Sequence, residues 1–327
     1  MTTYKDIRGT HIKTVTSDPP APVNGQMWYN STTKIMKGFT SNPAGAWATG
    51  GSMNTGRQDF GGNGLQTAAL VYGGRTAPQT GVTESYDGTS WTEVNDLNTA
   101  RSGIKGFGTY TAALGAGGYS PSSPYLRAIS ESWNGSSWTE VADLGTARYN
   151  GAGAGTQTAG LYIAGRAGLP GPASANTESW NGSAFTEVAD QNTARYTIAG
   201  DGTQTSAIIF GGTPPGALAN TETWNGSSWT EVNDLNTARN NLGGAATDST
   251  AAVAFGGNEP GNSAKTESWN GTSWTEVTDL STARQKGASG GTEASGLFSG
   301  GAAGSPNYST HTEEWTTPAT TTVTFTA

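Results

Sequence analysis

The run Trp133–Arg148 reads WNGSSWTEVADLGTAR, and near-copies occupy 86–101, 180–195, 224–239 and 269–284. A run that returns at a fixed period constrains the fold more than composition does. Each copy must be one structural unit that buries its open face against the next. The period is set by two markers. The arginines Arg57, Arg101, Arg148, Arg195, Arg239 and Arg284 are spaced 44, 47, 47, 44 and 45 residues apart. The glutamates Glu84, Glu131, Glu178, Glu222, Glu267 and Glu313 keep register with them at 47, 47, 44, 45 and 46.

Each unit divides into four strand-like segments. After Arg239 come a small, Gly-rich segment (241–247), an apolar one (250–255) ending at Gly256-Gly257, and a loop (258–265). Two short aromatic-bearing segments follow, 266–269 and 274–277, joined by Asn270-Gly271. Asn-Gly is a strong hairpin signal because the favoured two-residue turns need φ > 0. Four short strands per 44–47 residues suit one blade of a β-propeller, with the small segment nearest the crowded axis. Charged residues are only 13% and Gly reaches 49, which could signal disorder. Yet 11 Trp, 11 Tyr and 8 Phe supply an aromatic core that disordered chains lack.

The order Arg, apolar strand, Gly-Gly, loop, x-Glu-x-aromatic, turn, Trp, Arg resembles the kelch repeat. The doublets are Gly73-Gly74, Gly117-Gly118, Gly211-Gly212, Gly256-Gly257 and Gly300-Gly301; the third unit departs with Ala164-Gly165. In the last unit Thr320 stands where the second aromatic belongs. The resemblance covers about five-sixths of the chain and implies an all-β fold, a six-bladed kelch-like β-propeller over 53–327. Val323 is expected to take the place of Val277 in the sixth blade. The stretch Ser85–Trp91 also looks like the Asp-box of sialidases, one residue short; that box is itself a structural turn and implies no sialidase activity.

The six arginines match the six glutamates one to one. A buried charge is tolerated only when paired and hydrogen-bonded, so buried ion pairs are expected. The alternative is an arginine ring that binds an anion in the central channel.

Chemistry is sparse. There is no Cys, and the only histidines are His11 and His311. Thiolate catalysis, a multi-histidine metal site and the copper chemistry of galactose oxidase are excluded, and neither metal nor cofactor is expected. Most carboxylates belong to the repeat; Asp59, Asp201, Asp248 and Glu293 do not, and form a weak candidate for contacting sugar or cation. The expectation is therefore a chain that is not an enzyme, with glycan hydrolysis a distant third reading. What varies from unit to unit is the loop after the Gly pair. It carries Arg75, Tyr119, Tyr125, Arg127, Arg166, Glu259, Tyr308 and His311, a candidate ligand face on a rigid frame.

Residues 1–52 do not repeat. They hold a Pro-rich leader and a hairpin, GQMWYNSTTKIMKGF, turning at 30–33. Trp47 lies ten residues before Arg57, as the second aromatic does in the repeats, so 46–50 reads as a strand leading into the first blade. Residues 1–56 carry a net charge of +3, whereas the remainder carries −11. The acidic balance argues against nucleic acid. There is no secretory signal and no run of eighteen apolar residues. Ile12, Val15, Met27, Trp28, Ile35 and Met36 look exposed, with too few partners for a core, and are the candidate docking residues. The leader, hairpin and following Trp resemble tail-fibre and other virion structural proteins of bacteriophages, marine phages especially. That resemblance implies a protein made in the host cytoplasm and built into the virion. The N-terminal segment would dock on other virion proteins or itself, and the propeller would face a host-surface glycan or protein. The alternative is a cellular kelch-like adaptor.

Overall fold

The protein is described from a computed structural model, which defines residues 12–20, 26–41, 45–213, 215–304, 308–317 and 320–325. The described residues are all-β and make seven four-stranded sheets. They fall into two compact units. One comprises Met1–Gly45 with Thr317–Ala327, and the other comprises Ala46–Thr316.

The larger unit is a closed ring of six antiparallel blades. The inner strands Gly61–Leu65, Lys105–Gly108, Ala152–Thr156, Ala199–Gly202, Gly243–Asp248 and Ala288–Thr292 pack each against the next, and the last packs against the first. Their Gly and Ala content follows from this crowding. A Cβ on Gly153 would stand 2.2 Å from the carbonyl oxygen of Gly106 in the neighbouring blade. The second strands, such as Ala207–Phe210 (AIIF), are buried throughout. Burying a side chain of that size contributes roughly 1.5–3 kcal/mol.

The sixteen-residue run is the outer hairpin and the crossing to the next blade. Its turn is closed by Asn134, whose Oδ1 accepts the backbone N–H groups of Ser136 and Ser137 at 2.9 Å. Its second Trp sews blades together. The Nε1 atoms of Trp138, Trp229 and Trp274 donate to the hydroxyls of Thr83, Thr177 and Thr221, one blade back, at 3.0–3.1 Å.

The sixth blade corrects the sequence reading. Its outermost strand is Ala46–Thr49, which pairs with Thr312–Thr316 so that Trp47 faces Trp315. Trp47 Nε1 donates to Thr266 Oγ1 of the fifth blade, as the second Trp of any blade would. Val323 lies instead in Thr320–Phe325, which pairs with Ile35–Ser41 in the smaller unit. The blade count stays six, but the two ends of the ring share one blade. Lacing the ends together hydrogen-bonds the ring shut, which a C-terminal strand alone could not do. The division therefore falls at 45/46 and 316/317 rather than at residue 52.

The smaller unit is a sheet in the order Lys13–Val15, Met27–Asn30, Ile35–Ser41, Thr320–Phe325. Trp28, expected to be exposed, is 1% accessible. Its indole N–H and the Asn30 amide both donate to Asp18 Oδ1, at 3.0 and 2.9 Å. Hydrogen bonds from Lys37 first, then Asn30 and Trp28, hold the Asp18 carboxyl down to about 2. Ile12 is exposed, while Val15, Met27, Ile35 and Met36 are half-buried. The segment thus has a small core of its own around Trp28.

The Gly pairs repeat because their first member is left-handed in every blade: φ is 66° at Gly73, 66° at Gly117, 67° at Gly211, 62° at Gly256 and 61° at Gly300. Ala164 takes the same conformation at φ 61°. At Gly211 a Cβ would also stand 2.6 Å from the Arg239 carbonyl oxygen. Gly211→Ala is expected to cost about 1–3 kcal/mol. Ala164→Gly, which relieves strain but empties a buried methyl site, should change stability by less than about 1 kcal/mol. Urea unfolding of both variants measures the difference; equal midpoints would refute the steric account.

Candidate functional site

The repeat arginines are structural. Arg57, Arg101, Arg148, Arg195, Arg239 and Arg284 are 0% exposed. Each pairs with the glutamate of its own repeat. Arg57–Glu84 spans 2.8 Å, Arg148–Glu178 2.6 Å, Arg195–Glu222 3.0 Å, Arg239–Glu267 2.8 Å and Arg284–Glu313 2.7 Å, and Arg101 meets Glu131. The second carboxylate oxygen accepts a backbone N–H from the preceding crossing, as Glu131 does from Asn98 at 2.8 Å. None of the six arginines lines the channel cavities, so the anion-binding arginine ring is not built.

Two residues after each arginine the chain turns left-handed again, at Asp59, Gly103, Asn150, Thr197, Asn241 and Lys286, with φ between 53° and 65°. These six residues form a closed belt. The N–H of each donates to the carbonyl of its counterpart one blade back, from Gly103→Asp59 round to Asp59→Lys286, at 2.6–2.9 Å. Five of the six are not glycine and carry that strain, which concentrates at functional sites. The belt sets the radius of the channel and fixes where its side chains start.

On the loop side of the belt is a cavity of about 520 Å³ lined by Asp59, Arg75, Tyr119, Tyr149, Asn150, Arg166, Tyr196, Asn240, Asn241 and Lys286, among others. Two positions per blade bridge across the loop side of the ring, and in the second to fourth blades both line the cavity. The residue after the repeat arginine bridges, strand-like, to the residue after the Gly pair: Gln58 with Arg75, Ser102 with Tyr119, Tyr149 with Arg166, Tyr196 with Thr213, Asn240 with Asn258 and Gln285 with Ala302. One arc of the mouth is therefore basic and aromatic. Tyr119 and Tyr149 lie 6.2 Å apart, and the Arg166 guanidinium lies 5.3 Å over the Tyr196 ring. The other arc is amide. Asn241 Nδ2 donates to Asn240 Oδ1 at 2.7 Å and to Gln285 Oε1 at 3.1 Å.

Asp59 lies 3.7 Å from Lys286. Burial pushes its carboxyl up, against the pull of Lys286, Lys105 and Arg75. The Lys105 amine, buried close by, is pushed down by the same loss of water. Beyond a narrow waist shared by Lys105, Ile198 and Leu242, the channel opens on its other side into a cavity of about 510 Å³. This one is lined largely by inner-strand backbone, with Asp201 as its carboxylate. Asp201 Oδ1 accepts from Gly202 N at 2.8 Å, and Oδ2 from Ala246 N at 3.4 Å; burial raises it to about 7.

Of the loop candidates, Arg75, Tyr119 and Arg166 meet at the mouth. Tyr125 is exposed and stacks on Tyr119, ring centroids 6.3 Å apart. Arg127 reaches only Ser120 and Ser122. Glu259 pairs with Lys265 at 3.1 Å, Tyr308 bridges to Ala302, and His311 leans on Arg284. Asp248 and Glu293 bind turns of the inner hairpins, so the four non-repeat carboxylates do not form one cluster. Sequence reasoning missed Tyr149, Tyr196 and Asn240. Their signal was present, since they vary immediately after an arginine that never does.

No family model matches the chain, and no curated protein matches it. Among solved structures the ring is similar to YjhT, with a TM-score of 0.68 at 12% identity over 83% of this chain and 99% of that one. The likeness bears out the propeller. It also overturns one expectation. YjhT is an enzyme, so a propeller frame of this kind is no ground for calling the chain non-enzymatic, and that reading is withdrawn.

Proposed function

We propose that the chain is a saccharide-binding propeller carried on a bacteriophage particle, with the loop-side channel mouth as its binding site. The observation that carries this reading is the mouth itself. A tyrosine arc faces an amide arc across a cavity of about 520 Å³, within the ordinary size for a small ligand. Aromatic faces suit the apolar face of a sugar ring, and fixed amides suit its hydroxyls. The residues adjoin a closed belt or bridge to its neighbours, so the geometry is held before any ligand arrives.

Attachment to the particle falls to the unit made of Met1–Gly45 and Thr317–Ala327, in keeping with the resemblance of its hairpin to virion proteins. A kelch-like adaptor remains the alternative partner-binding reading. A second reading, in which bound saccharide is also processed, is favoured by Asp59, a half-buried acid 3.7 Å from Lys286 at the mouth whose carboxyl is pushed up by loss of water. Asp59 is the single carboxylate among the lining residues, so the two-carboxylate arrangement of glycoside hydrolysis is not assembled there.

The test is binding of the full-length protein to host surface polysaccharide. Tyr196→Ala should lower affinity about tenfold or more with an unchanged thermal midpoint, and a chain lacking residues 1–44 should no longer co-purify with its particle. Unchanged binding by Tyr196→Ala would remove the mouth from the proposal.

A further inference from the structure

The charge at the mouth is opposite in sign to that of the protein. The whole chain carries −8, yet the belt and mouth hold Arg75, Lys105, Arg166 and Lys286 against Asp59 alone. Lys286 is spent on Asp59 at 3.7 Å. Arg166 gives its Nε to the Gly171 carbonyl at 3.0 Å and also hydrogen-bonds the Tyr149 side chain, with its guanidinium over Tyr196. Arg75 is exposed, and among the described residues its side chain has neither an ion pair nor a hydrogen bond. That sets it apart from the six repeat arginines, each fully buried and paired. The fold does not require a cation at its position either, because the other blades place Tyr119, Arg166, Thr213, Asn258 and Ala302 there.

From this, and resting on the saccharide reading above, we propose that the mouth selects saccharides bearing an oxyanion. The carboxylate, sulfate or phosphate would be gripped by Arg75 beside Arg166, while the sugar ring lies against Tyr119, Tyr149 and Tyr196. A guanidinium presents paired N–H donors that match an oxyanion in two places at once. A cavity whose wall charges are net positive also concentrates the field that draws such a ligand in, against the acidic remainder of the surface. Neutral sugars meet the same aromatic arc but leave Arg75 unanswered, so they bind more weakly.

The experiment is a printed array of matched oligosaccharides, each neutral parent beside its carboxylated, sulfated and phosphorylated forms. It is probed with the full-length protein and with Arg75→Gln. Acidic members should bind about tenfold or more tightly than their parents, and the preference should shrink as salt is raised. Arg75→Gln should lose the preference for acidic over neutral members while keeping the thermal midpoint of the parent. The form retained best identifies which oxyanion is the natural one. Equal binding of neutral and acidic members, or a preference that survives in Arg75→Gln, refutes the selection and leaves the saccharide reading standing. Binding of no saccharide at all refutes both.

Discussion

Arg195→Ala is expected to destabilise the protein by about 3–5 kcal/mol. The guanidinium is 0% exposed and donates to Glu222 Oε1 at 3.0 Å and to the Asn220 carbonyl at 2.8 Å. Truncation strands the Glu222 carboxylate in the interior with only the Asn192 amide and two backbone N–H groups as partners. It also leaves the Asn220 carbonyl without its donor. A domain has about 5–15 kcal/mol in total, so one pair out of six is a large share. Arg127→Ala provides the contrast. Its three hydrogen bonds are all 3.3–3.4 Å long and lie in a loop, and its loss should cost under about 1 kcal/mol. The double change Arg195→Met with Glu222→Leu should recover much of the stability, because replacing both charges removes the stranded one. Urea midpoints of the three variants decide it, and equal midpoints for the two alanine variants would refute the pairing as a source of stability.

The second large effect depends on pH. Asp201 occupies the inner-strand position where the other blades carry Asn63, Phe107, Ala154, Ala245 and Gly290. It has two backbone donors and no cation, and burial raises it to about 7 from 3.8. The folded protein therefore keeps this proton up to about pH 7, while the unfolded chain releases it near pH 4. Between those limits the folded state binds more protons, so stability falls as pH rises and levels off above 7. Asp201→Asn removes the titration while keeping an acceptor for Gly202 N. The variant should match the parent at pH 4 and exceed it at pH 8 by about 2–4 kcal/mol. Denaturation midpoints followed from pH 4 to 8 should diverge; parallel curves would mean that the carboxyl ionises freely in the fold.

The fold was legible because its repeat is literal. The spacing of Arg57 to Arg284 gave the blade length, Asn-Gly gave the outer turn, and the one-to-one match of Arg with Glu gave the pairing. The last blade was misread for a physical reason. Local pattern shows which segments are strands but not which partner a terminal strand finds. Trp47 kept the repeat spacing to Arg57, and that spacing marked it as the fourth strand of a blade whose other three lie at the far end of the chain. Trp28 was misjudged because its burial depends on the leader, where Asp18 accepts its indole N–H, a contact that no local pattern announces. The mouth was half legible. Arg75, Tyr119 and Arg166 stood out in loops that vary, whereas Tyr149 and Tyr196 hid beside the repeat arginines. The belt that carries them was not legible at all. Its left-handed positions are filled by Asp59, Gly103, Asn150, Thr197, Asn241 and Lys286; Gly, Asn and Asp tolerate that conformation, but Thr and Lys do not advertise it, so no common residue type marked the belt in the sequence.

The shared sixth blade also decides how the protein bears load. The chain enters the ring at Ala46 and leaves it at Thr316, and these two residues are partners across one antiparallel pair. A ring tethered by a single end could be peeled strand by strand when pulled. If the ring is held through its chain ends, as proposed above, a pull on it would be shared by two hydrogen-bonded strands of one blade, Ala46–Thr49 and Thr312–Thr316. Tension divides between them and does not slide one past the other. Neither end can be peeled from the ring without breaking the ladder that joins it to the other.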